Sequence, residues 1–121
     1  MRSRILVVDD EEIVRLSCFR VLTGAGYPVD TAADGMEALR IIKNKAYELV
    51  ILDIMMPQLD GFTVLQAIRG ERPGTKFIII TGLDQTSMSI RAAEMGVAAY
   101  IGKPFDPDEL LAKVSHALGS S

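Results

Sequence analysis

The sequence predicts an α/β domain, a doubly wound parallel sheet of five strands alternating with five helices. Three observations predict it: short, nearly unbroken apolar runs recur along the chain, segments of helical length separate them, and polar residues close them. Strands that are apolar on both sides belong in a parallel sheet, because right-handed crossovers lay helices over both faces.

Taken in order, the first strand is Ile5-Leu-Val-Val, the third Leu49-Val-Ile-Leu and the fourth Phe77-Ile-Ile-Ile. Each is too short for a helix and rich in branched residues. The first helix carries Val14, Cys18, Val21, Leu22 and Ala25 on one apolar stripe before Gly24 and Gly26 break it. A weaker strand fits at Val29 to Ala32. The second helix opens at Asp34-Gly-Met-Glu37, the spacing of a capping box. Another weak strand fits at Ala99 to Ile101, and the last helix opens at Asp106-Pro-Asp-Glu109 with proline at its first position. Leu110, Leu111, Val114 and Leu118 share one face of that helix, and His116 falls away from it into solvent.

The 121 residues make one domain, 1–121, with no linker or repeat inside it, and Gly119-Ser-Ser121 reads as a natural end, a linker or a cloning remnant. Composition is that of a packed protein, 49% hydrophobic and 24% charged. A net charge of -3 with scattered Lys and Arg argues against direct nucleic-acid binding. No apolar run approaches the roughly 20 residues that span a bilayer, and the N-terminal run is too short for a signal peptide, so a cytoplasmic protein without membrane contact is expected. The single cysteine, Cys18, excludes an internal disulfide and a cysteine-rich metal site, and reads as a small core residue.

In doubly wound sheets ligands bind beyond the carboxyl ends of the strands. The residues there are Asp9 and Asp10, Asp53, Thr81 and Lys103. Acids also cap helices, and for Asp10 alone capping and ligation are evenly matched. Three carboxylates gathered in one place repel unless a cation joins them, and an all-oxygen donor set suits Mg²⁺ or Mn²⁺. Those three, a divalent cation and one lysine balance in charge, which suits phosphoryl transfer. Asp53, ending the buried central strand, is the expected nucleophile, with Asp9 and Asp10 as metal holders. Lys103 and the Thr81 hydroxyl are expected to pair with phosphoryl oxygens. Pro104 follows Lys103 at a strand end, one of the few settings for a cis peptide, although the sequence does not fix the isomer.

Val7-Val-Asp-Asp-Glu11, Asp53-Ile-Met-Met-Pro-Gln-Leu-Asp-Gly61, Thr81 and Tyr100-Ile-Gly-Lys-Pro-Phe105 occur in order and suitably spaced. On these motifs the chain resembles, over essentially its whole length, the response-regulator receiver domains of bacterial two-component signalling. The resemblance implies a flavodoxin-like sheet of order 2-1-3-4-5. It implies phosphorylation of Asp53 by a sensor histidine kinase or phosphotransfer protein, with Mg²⁺ held by Asp9, Asp10, Asp53 and the Met55 backbone carbonyl. Pro57, Gly61 and Pro104 position the loops in this reading. Thr81 and Tyr100 act as switch residues that remodel the face of the fourth helix, fifth strand and fifth helix. That face would meet a partner or output domain, with homodimerisation through it left open.

The chain departs from the family at Gly82, where alanine is common, and this is expected to loosen the loop after Thr81. Met55 and Leu83 are apolar and are expected to hinder attack by water and lengthen the phosphorylated state. A Mg²⁺-dependent aspartyl phosphatase is disfavoured, because the haloacid-dehalogenase type has a second acid where this chain has Met55 and usually a cap for which no length is spare. A flavin or nucleotide module would need a phosphate loop where Asp9-Asp-Glu-Glu12 would repel phosphate. A receiver-like scaffold acting without phosphorylation is the remaining alternative, disfavoured by the intact acid, hydroxyl and lysine set. A switch rather than a turnover enzyme is therefore expected.

Overall fold

The computed structural model describes residues 3–56, 60–82 and 85–119. Strands β1 (Ile5–Val8), β2 (Val29–Ala32), β3 (Leu49–Asp53), β4 (Lys76–Thr81) and β5 (Ala99–Gly102) form one parallel sheet. The order is β2-β1-β3-β4-β5, as expected. Helices α1 (Glu12–Gly24), α2 (Gly35–Asn44), α3 (Gly61–Glu71), α4 (Gln85–Glu94) and α5 (Pro107–Ala117) follow the strands in turn.

Alternate strand residues feed two separate cores. Leu6, Val8, Val50, Leu52, Phe77 and Ile79 point to the side covered by α2, α3 and α4. Ile5, Val7, Ile51, Ile78, Ile80 and Ile101 point to the side covered by α1 and α5. Period-2 alternation with both faces buried explains why the strands read as unbroken apolar runs. Each fully buried Ile or Leu contributes on the order of 2 kcal/mol of hydrophobic stabilisation.

The helix starts follow the sequence signals. Asp34 accepts from the Glu37 N–H at 2.8 Å while Glu37 accepts from the N–H of Ala33, the residue before the cap, at 2.6 Å, a variant of the capping box at the head of α2. Asp106 caps α5, with Pro107 in its first turn. The apolar stripes of α1 and α5 expected from the sequence pack against one core. The first helix runs through Gly24, and Gly26, at φ 94°, is the residue in the left-handed region. In α5 the fully covered positions are Leu110, Val114 and Ala117, with Leu111 and Leu118 only partly covered. Cys18 is buried and His116 exposed, as expected. Among the described residues no helix is long and apolar enough to cross a membrane.

Register sets the carboxyl rim of the sheet. Val8 lies beside Leu52, so Asp9 follows next to Asp53. Asp53 lies beside Ile80, and Thr81 lies beside Gly102, which puts Lys103 one step past the rim.

Candidate functional site

Asp9 and Asp53 are almost fully buried, at 0% and 2% exposure, where the strand ends deliver them. Each is fixed by a backbone donor two residues on: the Glu11 N–H to Asp9 Oδ1 at 2.8 Å, and the Met55 N–H to Asp53 Oδ1 at 2.9 Å. The Arg15 guanidinium in α1 donates to the Asp9 carbonyl at 2.7 Å and so ties the helix to the site.

Lys103 closes the pocket from the far side of the sheet. Its backbone N–H donates to the Thr81 carbonyl at 2.8 Å, and its Nζ donates to Asp53 Oδ2 at 3.1 Å and to Glu11 Oε1 at 2.7 Å. Nζ also lies 2.9 Å from Asp9 Oδ2. That contact is an ion pair off the hydrogen-bonding direction, so this buried oxygen has a charge for a neighbour and, among the described residues, no donor aimed at it.

The electrostatics follow from burial. Desolvation pushes the Asp53 carboxyl up to about 6, aided by the Asp9 charge and opposed by the Met55 N–H and Lys103. Desolvation likewise raises Asp9, against the pull of the Glu11 N–H and Lys103. Burial alone would lower Lys103, but its contacts with Glu11, Asp9 and Asp53 outweigh that and hold it above the ordinary lysine range. The pocket is short of positive charge.

Carboxylate oxygens of Asp9, Asp10, Glu11 and Asp53 lie within 4.8 Å of one another. Of these, Asp9, Asp10 and Asp53 fit a hard divalent cation, two of them buried with raised proton affinity and one carrying a buried oxygen without a directed donor, while the Glu11 carboxylate is turned to Lys103. Asp10 is exposed, and the N-cap of α1 is Glu11, which leaves Asp10 out of the capping position.

Thr81 is fully buried at the end of β4. Tyr100 is half-buried on β5 and packs against the core on the α2–α4 side. Met55 is more than half exposed and, with Glu11, Asp53, Gly82 and Lys103, lines a cavity of about 170 Å³. Gly61 approaches the loop so closely that a Cβ there would lie 2.3 Å from Ile54 Cα, and its N–H donates to the Ile54 carbonyl at 3.2 Å. The Lys103–Pro104 peptide is cis. Pro57 and Leu83 lie outside the described residues.

The structure therefore gathers Asp9, Asp10, Asp53 and Lys103, and it adds Glu11, which the strand ends alone do not point to. The signal is the third acid in Asp9-Asp-Glu11, which counts toward the charge of the site as well as toward the motif.

Comparison with known proteins agrees with this geometry. Response regulator MprA of Mycobacterium sp. (strain KMS) is 41% identical over 114 residues, covering 94% of this chain and 50% of the relative. The probable transcriptional regulator ycf27 of Porphyridium aerugineum is 44% identical over 117 residues, covering 97% of this chain and 48% of the relative. The chain thus spans about half the length of these curated relatives. The crystal structure of a response regulator receiver domain protein (CheY-like) from Methanospirillum hungatei JF-1 superposes with a TM-score of 0.91 at 35% identity, covering 98% of this chain and 95% of that one. Residues 5–115 match the family described as response regulator receiver domain, and the chain belongs to that family.

Proposed function

We propose that the chain is a phosphoryl-accepting switch in which Asp53 takes a phosphoryl group from a phosphohistidine of a sensor kinase or phosphotransfer protein. The observation that carries this reading is the buried Asp9–Asp53 pair at the carboxyl rim with Lys103 Nζ within 3.1 Å of both. An Asp53 oxygen attacks phosphorus as the P–N bond breaks, and the imidazole departs with the bonding electron pair. Although burial raises Asp53 to about 6, the carboxylate is still mostly ionised at neutral pH and able to attack.

Asp9, Asp10, Asp53 and the Met55 carbonyl would hold Mg²⁺, with Mn²⁺ as a substitute. When bound, the ion supplies neutralisation of charge and orientation of phosphoryl oxygens. The chain's own groups do the rest. Lys103, held as an ammonium, pairs with one phosphoryl oxygen, and the Thr81 hydroxyl donates to another. The apolar Met55 side chain, which lines the cavity beside Asp53, and Leu83 hinder attack by water, which lengthens the life of the modified state.

The readout is conformational. Thr81 and Tyr100 bias two arrangements of the α4–β5–α5 face, which then meets a partner, an output domain or a second copy. The domain works in the cytoplasm as a signalling element, and its only chemistry is slow gain and loss of its own phosphoryl group.

Incubation with acetyl phosphate and Mg²⁺ tests the assignment. Wild-type protein gains one acid-labile phosphate by intact mass, and Asp53→Asn gains none. Undiminished incorporation by Asp53→Asn refutes Asp53 as the acceptor.

A further inference from the structure

Glu11 occupies the N-cap of α1, yet its side chain makes no capping hydrogen bond. Its carboxylate reaches across the site to Lys103 Nζ at 2.7 Å, the shortest of the three carboxylate contacts that the lysine makes. The Glu11 side chain is 54% exposed, whereas those of Asp9 and Asp53 are 0% and 2% exposed. Glu11 therefore holds Lys103 from the rim of the cavity that it shares with Asp53, Met55 and Gly82.

Resting on the phosphoryl-acceptor reading above, we infer that Glu11 is a positioning residue that restrains Lys103, competes with an incoming phosphoryl group for its ammonium and so slows modification of Asp53. The ammonium gives hydrogen bonds to Glu11 and Asp53 and has the Asp9 carboxylate 2.9 Å away, so an incoming phosphoryl oxygen enters a crowded set of anions and competes with them for it. Asp9 and Asp53 sit at buried strand ends, each pinned by a backbone N–H. Glu11 is half in water and can exchange its ion pair for solvation at little cost. It is the group that leaves.

Charge acts in the same direction. Asp9, Asp10, Asp53, Lys103 and a divalent cation already balance, and Glu11 adds one uncompensated negative charge on the path of a dianionic phosphoryl donor. Both effects retard phosphorylation, and neither requires Glu11 to bind the metal or the phosphate.

The test compares wild type with Glu11→Gln and Glu11→Asp, reading the rate of acetyl-phosphate modification and, separately, Mg²⁺ affinity by NMR titration. Glutamine removes the charge. Aspartate keeps it but is one methylene too short to hold Lys103 at hydrogen-bonding distance. Both variants are expected to be modified roughly three- to fivefold faster, the range that a half-exposed ion pair supports, with Mg²⁺ affinity reduced by less than about threefold, the loss of a nearby charge and not of a ligand. Unchanged or slower modification of Glu11→Gln overturns the inference, as does an aspartate variant that behaves like wild type, because charge alone and not the pair would then be at work. A loss of Mg²⁺ affinity of about tenfold or more in Glu11→Gln also overturns it, since Glu11 would then serve the metal. Failure of wild type to take up acid-labile phosphate is a different result and refutes the acceptor reading itself.

Discussion

Strands β3 and β5 both deliver a functional group to the same pocket, yet they are built differently. All five residues of β3 are buried, and the strand is paired on both sides. In β5 only Ile101 is buried, and the strand lies at the edge of the sheet, paired with β4 alone. The phosphoacceptor candidate Asp53 thus stands on a strand buried throughout and paired on both sides, while Tyr100 lies on the strand with the fewest buried residues and Lys103 directly follows it. Local opening is easier where little apolar surface is covered. The division teaches that the proposed acceptor is held still and that the groups proposed to respond to a new charge are left room to shift.

The largest expected effect separates the two strands by stability. Ile51→Ala removes three carbons from the fully buried centre of β3 and is expected to cost about 4 kcal/mol in urea unfolding. Tyr100→Ala removes a larger side chain from a half-covered site on β5, and is expected to cost less than half as much. Equal costs would erase the distinction between a rigid and an adaptable half.

A smaller effect comes from the acids on the rigid half. With Asp53 raised to about 6, the folded metal-free protein binds more protons than the unfolded chain between that pH and the ordinary aspartate value of 3.8. Stability therefore falls as pH rises through that window, and the penalty is fully present at pH 7. Asp53→Asn is expected to stabilise the protein by about 2 kcal/mol at pH 7 with a chelator present. Each tenfold gain in proton affinity on folding corresponds to about 1.4 kcal/mol, and the lost contact to Lys103 takes back part of the sum. The gain should shrink toward zero as pH is lowered to about 4. Mg²⁺ should then stabilise wild type more than the variant. A gain independent of pH would mean that relief of charge is not its cause.

Much of this is legible in the sequence because its signals are local. Apolar runs closed by polar residues mark strand ends, and parallel register then gathers those ends in one place. This is why Asp9, Asp53 and Lys103 can be brought together without coordinates. Asp34 with Glu37 three residues on, and Asp106 with Pro107 directly after it, announce their helices. The Glu11–Lys103 pair is not legible, because it joins residues 92 positions apart through two long side chains whose rotamers are set by the finished pocket. Ala117 is hidden behind larger neighbours, since which side chains of a helix are fully covered depends on the angle at which α5 meets the sheet. The end of α1 is legible by contrast: glycine weakens a helix, and Gly24 is the last residue of one whose Cys18 and Leu22 are anchored in the core.

Gly82 gives the smallest expected effect and the closest check on the adaptable half. It follows Thr81 where the family often has alanine, a departure that predicts a loosened loop. A Cβ at Gly82 would lie 3.8 Å from Lys103 Cβ, an ordinary contact, whereas one at Gly61 would drive into Ile54 Cα at 2.3 Å. The two glycines therefore answer different needs, close backbone approach at Gly61 and no steric need at Gly82. Gly82→Ala is expected to raise stability by about 0.5 kcal/mol, chiefly by restricting the unfolded chain. It is also expected to slow hydrogen exchange at Thr81 and Gly102, the register partners at the rim. A loss of stability would show that the loop depends on a conformation closed to alanine. Unchanged exchange would show that loosening by Gly82 is not what lets this side of the pocket move.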